Sequence, residues 1–256
     1  MKNIFDSHAH YDDEKFSNNL KETINHIKQN GVVNVINVGC DIKSSLNSIS
    51  LAKEYPFFYA SVGIHPHQAS EFKDVSEIEK LLDNPKVVAI GEIGLDYHYD
   101  FSPRETQIKV FEEQLKFAVQ KNIPVIIHSR EATKDTMDLL NKYKPKGVVH
   151  CFSGSAQTAK EVISLGMYIG FTGSITFKNN KKASGVINEV PLDKLLLETD
   201  CPYMAPEPFR GMVCTSDMIE KTAMFISQVK SCTEQISAQQ IVDIANQNTH
   251  KLFNIY

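Results

Sequence analysis

Eight short apolar runs separated by segments of helical periodicity leave this chain of 256 residues few folds to choose from. The runs begin at Ile4-Phe5 and continue at Val32 to Gly39, Phe57 to Gly63 and Val87 to Gly91. The second half repeats them at Pro124 to Ile127, Gly147 to Val149, Met167 to Phe171 and Leu195 to Thr199. Between them, Asn18 to Asn30 carries Leu20, Ile24 and Ile27 at helical spacing and stops at Gly31. Ser44 to Glu54, Val75 to Leu82, Pro103 to Lys121, Thr133 to Tyr143 and Ala156 to Leu165 read as helices, and Met218 to Val229 and Ala238 to Phe253 close the chain. Strand followed by helix, repeated, implies a parallel sheet with right-handed crossovers. Eight such units in about 250 residues predict an α/β fold of the (β/α)8 TIM-barrel type. An open doubly wound sheet is the alternative. No linker, repeat or low-complexity tract interrupts the rhythm, so residues 1–256 read as one domain.

The ends of the apolar runs carry a second pattern. His8 and His10 follow the first, Glu92 the fourth, His128 the fifth, His150 the sixth and Asp200 the eighth. In an extended chain residues two apart share a side, so His8 and His10 aim together and Ser7 and Ala9 face away. Asp6, on the same side, is placed to orient a ligand. In a barrel of this kind all strand C-termini open on one mouth, where active sites form. Four histidines and two carboxylates there suit two divalent ions such as Mg, Mn, Zn or Ni. Two cations in close proximity need a shared carboxylate between them, and Glu92 is the candidate. Each residue alone reads as a polar strand end; six arriving together do not.

Composition narrows the function classes. Hydrophobic residues make up 42% of the chain, enough for a substantial core, and the formal net charge is −4. A nucleic-acid substrate would therefore be held locally, by metal and a few arginines, because no basic arm or patch is present. Cys40, Cys151, Cys201, Cys214 and Cys232 are scattered without a CxxC pair, which fits reduced thiols. No apolar run is long enough for a membrane span. No signal peptide is visible, so the cytoplasm is the expected compartment. No obligate protein partner is indicated.

Six segments together resemble the TatD family of metal-dependent deoxyribonucleases, within the amidohydrolase-like barrels. They are Phe5-Asp6-Ser7-His8-Ala9-His10, Gly63-Ile64-His65-Pro66-His67, Gly91-Glu92-Ile93-Gly94-Leu95-Asp96-Tyr97, Pro124-Val125-Ile126-Ile127-His128-Ser129-Arg130, His150-Cys151-Phe152-Ser153-Gly154 and Leu197-Glu198-Thr199-Asp200-Cys201-Pro202-Tyr203. The resemblance implies a two-metal site, with His8, His10, Glu92 and Asp200 on one ion and Glu92, His128 and His150 on the other. It also implies release of mononucleotides from the 3′ end of DNA, with single strands preferred. One loop departs from the family: Arg210-Gly211 continues as Met212-Val213-Cys214-Thr215-Ser216-Asp217, without the usual basic stretch, asparagine and proline. That loop is expected to grip a substrate backbone less than in relatives. A metal-dependent amidohydrolase, esterase or lactonase acting on a small molecule is the alternative activity, and a binding protein that retains metal incidentally is the other.

Asp200 is the expected proton acceptor for the attacking water, and Glu92 the second catalytic residue. His65, Arg130 and Arg210 are the candidate substrate contacts, with His67 similar to His65. Asp96 and Tyr97 are placed to shape the floor beside Glu92. Arg104 is expected to face solvent or pair with an acid. Cys151 and Cys201 should alternate away from the ligands beside them, as packing residues. His26, His98 and His250 have no strand-end placement and are expected at the surface.

Overall fold

A computed structural model describes residues 1–231 and 235–255. Eight strands form one sheet in chain order: β1 (Ile4–Ala9), β2 (Val32–Val38), β3 (Phe58–Val62), β4 (Val87–Asp96), β5 (Val125–Arg130), β6 (Gly147–Val149), β7 (Tyr168–Phe171) and β8 (Leu195–Leu197). Every ladder is parallel. The ring closes where the Asp200 amide donates to the His8 carbonyl and the His10 amide to the Cys201 carbonyl, each at 2.9 Å. The TIM barrel expected from the rhythm is the fold observed.

Helices follow the strands: α1 (Leu20–Gln29), α2 (Ile42–Glu54), α3 (Ser76–Leu82), α4 (Arg104–Lys121), α5 (Thr133–Tyr143), α6 (Ala156–Ser164), α7 (Ala183–Glu189), α8 (Ile219–Lys230) and α9 (Ala238–Phe253). Their starts are chemically marked. Asp41 and Ser44 close a capping box on α2, Ser237 and Gln240 another on α9, and the Ser155 hydroxyl accepts from the Thr158 amide at α6. Helix α7 was not apparent from periodicity. It has seven residues and buries Ala183, Val186 and Ile187, too short a stripe to stand out.

One apolar cluster draws from seven strands at once: Phe5, Ile36, Val38, Ala89, Ile126, Val148, Tyr168 and Leu196, closed by Leu252, Phe253 and Ile255 at the end of α9. Residues from opposite strands meet only inside the barrel, so this cluster fills its lower interior. His250 belongs to that plug. It lies edge-on to Phe5 at 5.2 Å and its Nδ1 donates to the Ile255 carbonyl at 2.7 Å. It is half-buried, not at the surface, because the end of α9 folds over the barrel floor. His26 and His98 are exposed, as expected. The larger cluster lies between the sheet and the helices.

Cys40, Cys151, Cys201 and Cys214 are free thiols, and Cys232 lies outside the described residues. Among the described residues no helix is long and apolar enough to cross a membrane.

Candidate metal centre

The six strand-end residues converge at the barrel mouth. On one side, His8 Nε2 lies 3.1 Å from His10 Nε2, 3.5 Å from Glu92 Oε2 and 3.6 Å from Asp200 Oδ1. His10 Nε2 is 3.4 Å from Asp200 Oδ1 and 3.9 Å from Glu92 Oε2. His10 Nδ1 faces the Val38 carbonyl at 3.0 Å and must donate to it, which leaves a lone pair on Nε2 aimed into the site. Ligands about 2.0–2.1 Å from a tetrahedral ion stand about 3.3–3.4 Å from one another. The atoms of His8, His10 and Glu92 are close enough together to hold a cation, and Asp200 stands beside the two histidines.

Electrostatics agree with the geometry. Burial disfavours charge on His10, but Asp200 and then Glu92 outweigh it and push its pKa to about 9. Carboxylates that hold a proton so firmly would hold a divalent cation in its place. Burial also opposes ionisation of Glu92, yet the facing His150 and the hydrogen bond from His128 hold its carboxyl well below the usual range. Burial lowers His8 below the ordinary imidazole value, which keeps it a neutral ligand.

The other side of the site belongs to the second oxygen of Glu92. Its Oε1 lies 2.8 Å from His128 Nδ1, 2.8 Å from His150 Nε2 and 3.7 Å from His65 Nε2. His128 is held between two carboxylates, since its Nε2 lies 3.1 Å from Asp96 Oδ2. His67 reaches the same Asp96 oxygen at 3.1 Å. Asp96 thus stands behind His128 as a wall of the site, where the sequence suggested a floor. His65 Nδ1 accepts from the His67 amide at 3.2 Å, so in the neutral ring the proton is on Nε2, facing Glu92. Burial holds His65 well below its ordinary pKa and keeps that neutral form. His65 is therefore arranged as a hydrogen-bond donor into the site.

Among the described residues three groups of His and carboxylate atoms are close enough to hold an ion: His8 with His10 and Glu92, His65 with Glu92 and His128, and His8 with His150 and Glu198. Glu198 is a site residue that the strand-end pattern does not mark. It is buried, accepts from the Cys151 amide, and lies 3.5 Å from His150 Nδ1. The signal was available, because Glu198 precedes Asp200 by two and so shares its side of an extended chain. A Cβ at Gly170 would meet the Glu198 carboxylate at 2.5 Å, so this glycine makes the room. Cys40 was also missed; its Sγ lies 3.9 Å from Glu92 Oε2.

Local structure explains the placement. Asp6 is buried and accepts from the amides of His8 and Thr199 at 3.2 and 3.0 Å and from the hydroxyls of Thr199 and Ser216 at 2.6 Å each. It ties β1 to the residue just before Asp200. Burial pushes its pKa up to about 7 against those four donors. Two buried glutamines of α4 imitate a neighbouring strand. Gln107 accepts from the Asp96 amide and donates to its carbonyl, at 2.9 and 3.1 Å. Gln114 does the same to Ile64, at 2.8 and 3.0 Å.

The centre opens into a cavity of about 940 Å³. His65, His67 and Arg130 line it, as does an apolar lobe of Phe152, Phe171, Ile175, Phe177 and Val186. Cys151 lines it too, half-buried, because a left-handed φ of 42° after β6 turns it inward; Cys201 is a buried packing residue. Arg210 is not among the lining residues. It is exposed, with its guanidinium 4.3 Å from the centre of the Phe177 ring. Arg104 pairs with Asp100 in solvent.

Comparison with known proteins points one way. Residues 5–254 match the family model described as TatD related DNase. The uncharacterized metal-dependent hydrolase YabD of Bacillus subtilis is 39% identical, over 98% of this chain and 99% of its own. The 3′-5′ ssDNA/RNA exonuclease TatD of Salmonella typhimurium is 32% identical, over 79% of this chain and 80% of its own. The crystal structure of YjjV, a TatD homologue from Escherichia coli, superposes with a TM-score of 0.91 at 32% identity, covering 99% of both chains.

Proposed function

Because the chain belongs to the TatD related DNase family of metal-dependent hydrolases, we propose that it is a two-metal phosphodiester hydrolase that removes mononucleotides from the 3′ end of single-stranded DNA. In this reading residues 1–256 act as one hydrolase domain. The observation that carries it is Glu92, whose Oε2 faces His8 and His10 while its Oε1 faces His128 and His150. A carboxylate presenting one oxygen to each of two histidine pairs is what a bridge between two cations requires. His8, His10, Glu92 and Asp200 would hold one ion, and Glu92, His128 and His150 the other, with Mg, Mn, Zn and Ni all compatible with such donors.

Ions held there would supply Lewis acidity and lower the pKa of water from 15.7 towards about 7. The chain supplies the rest. Asp200 takes a proton from the attacking water and orients it towards phosphorus. The bond from phosphorus to the 3′ oxygen of the penultimate residue breaks in line, and that oxygen leaves with a proton as the new 3′ hydroxyl. His65 donates from Nε2 to an oxygen in the cavity, and Arg130 meets charge at the rim. Arg210, outside the cavity lining, would contact only a strand that runs past Phe177. The enclosed mouth suits a chain end better than a duplex interior.

The test is a DNA panel with divalent metal. Linear single strands labelled at the 5′ end should shorten one nucleotide at a time from the other end, and circular single strands should survive. Uniform internal cutting of circles would overturn the end-directed reading. Hydrolysis of amides or lactones without phosphodiesters would replace the nuclease reading altogether.

A further inference from the structure

The rim of the cavity carries an aromatic surface that hydrolysis itself does not use. The turn after β4 exposes Tyr99 and Phe101, which are 49% and 67% accessible. Their rings lie nearly parallel, with centroids 5.2 Å apart and planes 11° apart. His67 packs edge-on against both, at 5.5 and 4.8 Å, and is itself held by Asp96. The Arg130 guanidinium sits 4.9 Å from the Tyr99 ring centre. Tyr99, His67 and Arg130 line the cavity, whereas Phe101 lies just outside it. A stack of rings thus begins at the cavity wall and continues outward into solvent. Single exposed aromatics need no explanation. Two stacked rings, braced by a histidine of the site and continuous with its cavity, form a built surface.

The charge of the chain says what such a surface is for. With 27 basic and 31 acidic residues, the protein has no excess of cations to track a phosphate backbone. Stacking of bases on aromatic rings holds a strand without that excess and without regard to sequence. We infer that Tyr99 and Phe101 form a stacking platform for a base of single-stranded nucleic acid, one or more nucleotides inward from the end seated in the cavity. In a duplex the faces of that base are covered by its neighbours, so the platform selects single strands. This inference rests on the nuclease reading and adds to it the surface that holds the strand.

The probe is an oligodeoxynucleotide with 2-aminopurine at the second or third position from its 3′ end, whose fluorescence falls on stacking. Binding to the wild-type protein should quench it. Phe101→Ala should weaken binding about tenfold and remove most of the quenching, and Phe101→Tyr should restore both. Phe101→Leu, which keeps apolar area but loses the π face, should behave like alanine. The ratio of kcat/KM on the oligonucleotide to that on a bis-aryl phosphodiester should fall by a similar factor in Phe101→Ala. Equal quenching and affinity in wild type and Phe101→Ala overturn the platform. If the wild type still cleaves oligonucleotides in that case, the nuclease reading stands alone. If it neither binds oligonucleotides nor cleaves a phosphodiester, both fall. Melting temperatures check that the exposed substitutions leave the fold intact.

Discussion

At Glu92 and Asp200 two carboxylates face the same pair of histidines, and different duties are proposed for them. Asp200→Asn keeps the shape and one oxygen, so the chain should fold with a near-unchanged melting temperature and keep much of its metal. It loses a proton acceptor, and kcat should fall by about 10² to 10⁴. Wild-type kcat in this variant at saturating metal would remove Asp200 as the base and leave that role to bulk hydroxide, since His65 is arranged as a donor. Glu92→Gln should lower metal content together with rate, because less charge then separates two cations; metal analysis beside the kinetics distinguishes the two variants. At this scale the sequence was largely readable, since His8, His10, Glu92, His128, His150 and Asp200 all follow apolar runs. Glu198 and Cys40 are harder to read. Cys40 follows the second run and Glu198 lies within the eighth, but each alone is an ordinary residue there, and their nearness to Glu92 and His150 arises only when the strands meet around the barrel.

Strand phase is where local periodicity runs out. Phe5 lies in the lower interior of the barrel, and so does Ala89. Strict alternation from either would point His8 and Glu92 away from the mouth. Both strands carry register shifts at those places, between Asp6 and Ala9 in β1 and between Ile90 and Ile93 in β4. Alternation does hold in β5 and β6, where His128 shares a side with Ile126 and His150 with Val148. Helix α4 adds a device that propensity cannot reveal, since Gln107 and Gln114 look like ordinary helix residues. Gln107→Ala would leave the Asp96 amide and carbonyl buried without partners. Thermal and denaturant unfolding should show a loss of about 1–3 kcal/mol, with a rate defect as Asp96 shifts behind His128. Unchanged stability would mean that solvent or another group satisfies β4 there.

Taken as a whole, the barrel gathers carboxylates and histidines at one end of an acidic protein. Neutralisation of each phosphate of a single strand contributes about −0.7 to the slope of log affinity against log salt. With Arg130 and Arg210 as the candidate phosphate contacts, that slope should be no steeper than about −1.5. A slope several times steeper would reveal a basic track that the charge distribution does not suggest. The order of eight strand–helix units made this architecture readable from the chain alone, because few folds accept that rhythm in this length.

The most direct measurement is metal content against hydrolysis in one preparation. Chelation and dialysis should abolish release of mononucleotides. Divalent metal added back should restore it as occupancy approaches two ions per chain, and the Glu92→Gln protein should fall short of that occupancy. Full activity of the chelated and dialysed protein, in excess chelator, would contradict the two-metal centre on which the account rests.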